Sequence, residues 1–361
     1  MMNFGKKLIK QLCSEPYKYN DEYMYRAVHL GNLTEVKIMI SRKININLQE
    51  QNGETYLHIC VKRNYYEIAQ LLLKHGIDVD RENMTGATAL HFAIMENKQD
   101  FVELLLDGGA NPNLIPSHGI SNLFIAANLD RLKIAEILLK RGANPNKQDK
   151  RTLPLSFCIY NNKLEMMRLL FQYGAEANID VSANNNGIVP LIIAINENKL
   201  DMIECLLENG ADPNVLYYNR IPLTIAISDN RLEIVKILLK HGAIPDMIVN
   251  DLSPLLVAIC HNKMEMIKLL LEYDANPELI VDNMSTIDYA IKYYEMELLK
   301  IIDQEKISYD EMKIFNKNVC DNLQVVELLA KYCKDNKNYI EYINKTKSIV
   351  EKFFSKYFNT Y

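Results

Sequence analysis

The sequence predicts an all-α solenoid of about nine helix-turn-helix units, closed by further helices at its C-terminal end. Two rulers and a repeated stripe carry that prediction. A small residue recurs at Ala27, Cys60, Ala93, Ala126, Cys158, Ala194, Ala226, Ala258 and Ala290, at separations of 33, 33, 33, 32, 36, 32, 32 and 32 residues. A glycine recurs at Gly76, Gly109, Gly142, Gly174, Gly210 and Gly242, at separations of 33, 33, 32, 36 and 32. Both rulers stretch at the same place, so the extra residues lie between Gly174 and Pro190, where Asn184-Asn185-Asn186-Gly187 reads as an enlarged turn. The stripe is apolar at i, i+3 and i+4: Ile68/Leu71/Leu72, Phe101/Leu104/Leu105, Ile134/Ile137/Leu138, Met166/Leu169/Leu170, Met202/Cys205/Leu206, Ile234/Ile237/Leu238 and Met266/Leu269/Leu270. That spacing gives a helix one buried face, and its return at a fixed period is the signature of stacked repeats.

Each unit carries its own start and stop signals. Thr55, Thr88, Ser121, Ser253 and Thr286 stand where a hydroxyl can accept a bond from an orphan N–H of the first helix. Pro154, Pro190, Pro222 and Pro254 suit the first helical position, where a missing N–H costs nothing. The glycine after the second helix supplies a left-handed closing residue. Asn/Asp/Pro segments such as Asn111-Pro112-Asn113 and Asn144-Pro145-Asn146 then turn the chain into the next unit.

The pattern T-x-L-H-x-[AC] at Thr55 to Cys60 and Thr88 to Ala93, followed by L-L-x-x-G-A-x-P-N, resembles the ankyrin repeat. The resemblance covers roughly residues 20–305 and implies antiparallel helix pairs stacked side by side, with hairpin loops projecting from one edge. Lys43 and Asp274 stand where the pattern has glycine. Residues 1–19 read as an N-terminal helical cap. Residues 306–361 read as a degenerate repeat and helical cap, in which Leu323 to Cys333 resembles a second ankyrin helix and Tyr339 to Phe358 is amphipathic and Lys-rich. Terminal repeats need a polar outer face, so atypical sequence is expected there.

Composition narrows the function classes. The 361 residues are 48% hydrophobic and 24% charged, with a net charge of −5, so neither nucleic acid nor membrane is a favoured partner. No apolar run is long enough to span a bilayer, and Met1 to Lys10 lacks the apolar core of a signal peptide; a cytoplasmic protein is expected, in a host's cytoplasm if the source is viral or a secreted effector. Cys13, Cys60, Cys158, Cys205, Cys260, Cys320 and Cys333 are odd in number and never spaced C-x-x-C, which points to packing rather than metal or redox work. His58 and His91 fill the fourth position of the T-x-L-H pattern, where the resemblance implies a bond to loop backbone of the next repeat. His75 and His241 precede helix-ending glycines and read as solvated. His118 and His261 have no second ligand at metal spacing. With no phosphate loop, G-x-S-x-G elbow, H-E-x-x-H pair or dinucleotide fingerprint, neither an enzyme nor a cofactor is expected.

What remains is surface. The resemblance implies binding through hairpin tips and the exposed end of helix one, on the concave face. It carries to Arg63 in the second unit, His118 and Leu129 in the fourth, Arg151 and Tyr160 in the fifth, Tyr217, Tyr218 and Arg220 in the seventh, and His261 in the eighth. Tyr and Arg are the residues most enriched in binding hot spots. The function expected is a monomeric scaffold for a partner protein. The abundance of Asn, Ile, Lys and Tyr resembles poxvirus ankyrin proteins, and less closely those of intracellular bacteria and protists, which makes a host factor the partner class of first interest. A ubiquitin-ligase adapter is the alternative, against which no proline follows Pro277 to open an F-box-like Leu-Pro segment. An enzyme with a catalytic domain at residues 306–361 is the remote one.

Overall fold

The computed structural model describes residues 21–117, 119–148, 153–178, 189–302, 309–334 and 336–358. The chain divides into two compact bodies, residues 1–176 and 177–361. In the first, five helix pairs follow one another: α1 (Asp21–His29) with α2 (Leu33–Ser41), α3 (Tyr56–Arg63) with α4 (Tyr66–Lys74), α5 (Ala89–Met95) with α6 (Gln99–Asp107), α7 (Asn122–Asn128) with α8 (Leu132–Lys140), and α9 (Pro154–Tyr160) with α10 (Leu164–Gln172). In the second, α11 (Pro190–Asn196) pairs with α12 (Leu200–Glu208), α13 (Pro222–Ser228) with α14 (Leu232–Lys240), and α15 (Pro254–Cys260) with α16 (Met264–Glu272). A two-stranded hairpin, β1 (Ile280–Val281) and β2 (Met284–Ser285), then leads into α17 (Thr286–Ile302), α18 (Tyr309–Lys331) and α19 (Lys337–Phe358). Within each body first helices pack on first helices and second on second.

The nine small residues of the first ruler are all fully buried. A larger side chain there would wedge neighbouring first helices apart, at a typical cost of about 1–3 kcal/mol. The apolar stripe of each second helix closes the same core from the other side: Ile68, Ile134, Leu138, Leu206, Ile234 and Leu270 are almost wholly excluded from solvent.

Left-handed residues punctuate the array twice per repeat. After the second helix stand Gly76, Gly109, Gly142, Gly174, Gly210 and Gly242, all at positive φ. Lys43 (φ 57°) and Asp274 (φ 62°) keep the same conformation without being glycine. Between the two helices of a repeat stands a second series: Gly31, Asn64, Asn97, Asp130, Asn162, Asn198, Asn230 and Asn262, at φ from 49° to 66°. Asn and Asp tolerate this region because their short polar side chains bond locally. In the ninth repeat the equivalent position is Tyr294, a bulky residue that resists positive φ, and α17 runs on through it for 17 residues where the first helices of repeats three to eight have seven. α17 packs on α15, α18 on both α16 and α17, and α19 on α18. Val325, Val326, Leu329 and Ala330 bury the inner face of α18.

The helix starts follow the sequence signals at three of the five hydroxyl positions, while the Thr55 hydroxyl meets His58 Nδ1 (2.8 Å). Thr88, Ser121 and Ser253 accept the N–H of the third helical residue, from His91, Phe124 and Leu256. Thr286 instead is the first residue of α17 and donates its hydroxyl to the Leu279 carbonyl (3.2 Å), while Ser285 accepts the Asp288 N–H (3.2 Å). Pro154, Pro190, Pro222 and Pro254 each open their helices.

A side-chain clamp joins neighbouring repeats at the loop edge. In Asn111-Pro112-Asn113 the Asn111 side chain accepts the Asn113 N–H (2.9 Å), which shapes the turn. The Asn113 amide then reaches across: its Oδ1 accepts the Asn144 N–H (2.7 Å) and its Nδ2 donates to the Gly142 carbonyl (2.7 Å). Asn146 holds Glu176 and Gly174, Asn178 holds Asp212 and Gly210, and Asn214 holds Ile244 and Gly242 in the same way. Asp80 and Asp246 occupy clamp positions as acceptors only, from Asn111 and Asn276.

Two predictions follow from these positions. At Gly142 (φ 87°) an added Cβ meets open space, so Gly142→Val is penalised by conformation alone and should cost more than about 1 kcal/mol in denaturant unfolding. An unchanged midpoint would contradict the left-handed closure. Burial pushes the Asp80 carboxyl above the usual carboxylate range; the Asn111 N–H pulls it back in part, and Asp78 pushes it further up. A raised folded-state pKa means that Asp80 favours the fold most when protonated, and that contribution is lost as pH rises through the raised value. Asp80→Asn, which also restores the missing donor, should raise stability at pH 7 by about 0.5–1 kcal/mol, with the gain shrinking toward pH 4. Thermal midpoints at both pH values check it; a gain that grows on acidification would refute it.

Candidate protein-interaction surface

His58 and His91 are spoken for by the fold. His58 Nε2 lies 2.9 Å from the Ala87 carbonyl of the next repeat, and its Nδ1 lies 3.2 Å from the donating Thr55 N–H. Burial lowers the His58 pKa, partly opposed by the bond to Ala87, so the ring stays neutral at pH 7 and the fold loses this contribution below the ordinary histidine range. His91 repeats the contact with the Ile120 carbonyl at 3.3 Å. His75 Nδ1 donates to the Leu71 carbonyl (2.9 Å), and His241 is half-buried rather than solvated. Among the described residues no three His, Cys, Asp or Glu side chains are placed to hold a metal ion, and no helix is long and apolar enough to cross a membrane. A cavity of about 30 Å³ lies between α17, α18 and α19, lined by Tyr294, Leu323, Val326 and Tyr342 among others, with room for little more than water.

The surface residues expected to bind separate into two groups. In the first body Arg63 ends α3, Leu129 follows α7 and Tyr160 ends α9; all three are exposed at the close of a first helix. His118 and Arg151 lie outside the described residues. In the second body His261 follows α15, exposed, with its Nδ1 donating to the Val257 carbonyl (2.9 Å), so its ring closes its own helix.

Tyr217, Tyr218 and Arg220 come together on one hairpin. Tyr217 N–H donates to the Arg220 carbonyl (2.8 Å) and Arg220 N–H returns a bond to the Tyr217 carbonyl (3.0 Å). Between them Tyr218 and Asn219 both have positive φ, 45° and 54°, the two-residue turn that matches strand twist. The next hairpins repeat it with Asn250-Asp251 inside the Val249–Leu252 pair and Asp282-Asn283 inside the Val281–Met284 pair. Tyr218 alone among those six is neither Asn nor Asp. Its ring meets that of Tyr217 edge-on, with centroids 4.6 Å apart, and the residue is 76% exposed.

A family model described as ankyrin repeats (3 copies) matches the chain in overlapping stretches, 2–83, 23–116, 81–149, 123–217, 155–248 and 217–281. The chain belongs to the ankyrin-repeat family. Among 507 matching chains of solved structures is the crystal structure of the ankyrin repeat domain of Bcl-3, a member of the IkappaB protein family. It is 26% identical with a TM-score of 0.53, over 60% of this chain and 96% of that one. No curated protein matches. The ankyrin repeat is a protein–protein interaction fold, and these matches single out no one partner.

Among the described residues, exposed and buried cysteines should separate chemically. Burial drives the Cys60 thiol far up and the Cys158 thiol up to about 12, whereas Cys320 is exposed. Under native conditions a maleimide should label Cys320 within minutes and reach Cys60 and Cys158 only after denaturation, read by peptide mass spectrometry. Native labelling of Cys158 would show that the first-helix core is not closed.

Proposed function

We propose that this ankyrin array is a scaffold that holds a partner protein on its hairpin side, centred in the second body on Tyr217, Tyr218 and Arg220, with Arg63, Leu129 and Tyr160 as the corresponding candidates of the first. The partner class is an intracellular protein, and a host protein if the chain comes from a virus or a secreted effector. Tyr218 carries this reading. Its turn asks for Asn, Asp or Gly, yet a bulky aromatic holds a left-handed φ and points into solvent, where it contributes nothing to the core. Strain of this kind, of order 1–3 kcal/mol, persists where surrounding structure imposes it and gathers at working sites. A desolvated Tyr or Arg anchor contributes about 2 kcal/mol or more to an interface, a gain of the same order as the strain.

The test sets stability against binding. Tyr218→Asn should raise the thermal midpoint by roughly 1–3 °C, as relief of a strained turn residue in a domain of this size would. The same change should reduce recovery of the main captured protein, quantified by mass spectrometry from cells expressing the tagged chain, and Tyr217→Ala with Arg220→Ala should reduce it further. The control removes an exposed ion pair on the second helix of the same repeat, Glu233 with Lys236 (2.8 Å). Wild-type recovery by a folded tip variant, or loss in the control alone, would move the site elsewhere.

A further inference from the structure

Three successive hairpins carry an aliphatic side chain at one register position: Leu216, Ile248 and Ile280, each 32 residues from the next. They are 58%, 43% and 67% exposed. Each immediately precedes the strand residue that closes the two-residue turn, Tyr217, Val249 and Val281, so all three stand on the same side of equivalent hairpins. Alternation along the ninth hairpin shows which side that is, since Ile280 is exposed and Val281 buried. In repeats two to four the residues that precede the corresponding turn are Gln49, Glu82 and the half-buried Ile115, so three successive exposed aliphatic residues stand at this position in repeats seven to nine.

The same hairpins are acidic. Residues 211–221, 243–253 and 275–285 hold Asp212, Asp246, Asp251, Glu278 and Asp282 against one basic residue, Arg220. Asp212 and Asp246 bond backbone at the base of their loops, through the N–H groups of Asn214 and Asn276. Asp251 and Asp282 sit exposed at the tips beside the aliphatic row, with no side-chain partner among the described residues.

We infer that the row Leu216–Ile248–Ile280 with Asp251 and Asp282 binds a basic amphipathic helix of the partner protein. The inference rests on the scaffold reading above and names the chemistry of what is held. Stacked helices set neighbouring repeats about 8–10 Å apart, and seven residues of an α-helix advance about 10.5 Å, close to the upper end of that separation, so a helix with apolar residues at i, i+7 and i+14 can reach the three side chains. A polyproline helix advances about 9 Å per turn, but such segments dock in aromatic-lined grooves, and this row is aliphatic. An extended strand faces one side at every second residue, about 6.6 Å, and falls out of register. The carboxylates beside the row select Lys and Arg on the flanks of the helix and steer it in.

The probe is a fluorescein-labelled 18-residue helical peptide with Leu at i, i+7 and i+14 and Lys on the flanks, titrated against the full chain by anisotropy. Binding should weaken at least tenfold when Glu replaces Lys or when the leucines are spaced five apart. The same loss is expected for Leu216→Ser/Ile248→Ser/Ile280→Ser, and for Asp251→Asn/Asp282→Asn with a shallower salt dependence. The charge variants alter only exposed tips and keep the test open if the serine variant fails to fold. Absent binding, equal binding of the acidic peptide, or tighter binding of a proline-rich peptide overturns the inference. So does a dimer of the chain that the serine variant abolishes, because the row would then be covered by a second copy. If Tyr218→Asn abolishes partner recovery while the serine variant leaves it intact, this inference fails and the scaffold reading stands; if neither changes recovery, both fail.

Discussion

The loop edge of this protein depends on an amide that reaches from one repeat to the backbone of the next. Hydrophobic packing aligns the helices, but it does not extend to the turns that project beyond them. There, Asn113, Asn146, Asn178 and Asn214 each grip a carbonyl and an N–H one repeat further on. A two-point grip fixes both distance and rotation, which a single bond does not. Hairpin-to-hairpin register, and with it any row of side chains that crosses several hairpins, follows from that grip. Asp80 and Asp246 keep one half of it and lose the other.

Much of this was legible in the sequence. The two rulers locate the repeats because a buried small residue and a left-handed closing residue are both stringent demands, and few side chains meet either. The T-x-L-H histidines likewise make the contacts that the family pattern implies. Less visible was the second left-handed series, Asn64 to Asn262, although it keeps the same period; Asn is common throughout this chain and so stands out less than glycine does. The clamp was hidden inside Asn-Pro-Asn segments whose turn-forming role already accounted for both residues. Thr286 and His241 show the limit of local signals. Whether a threonine caps a helix or begins it, and whether a histidine ring meets water or a neighbouring helix, depends on the packing of elements that the local sequence does not contain.

The candidate surface was legible as a set of residue types and only partly as a geometry. Tyr217, Tyr218 and Arg220 stood out because aromatic and guanidinium groups on a projecting loop invite contact. That Tyr218 also sits at φ 45°, in a turn built for Asn or Asp, is a property of backbone, and the sequence alone did not reveal it. Arg63, Leu129 and Tyr160 share an exposed first-helix end, whereas His261 is engaged in closing its own helix. These positions therefore differ in how free they are to meet a partner.

The substitution of tyrosine for asparagine at position 294 bears on how such an array is bounded. Every earlier repeat turns back because one residue between its helices accepts a left-handed backbone; where that residue is lost, the helix runs on and the periodic stack gives way to long helices. Array length is thus written at a single position per repeat and not in the core, whose small buried residue is still present at Ala290. Duplication or deletion of a whole 32- or 33-residue block upstream would leave this stop signal untouched. The number of repeats can then drift over evolutionary time while the terminal helices stay as they are, which would let the binding edge lengthen or shorten without a new end being invented for it.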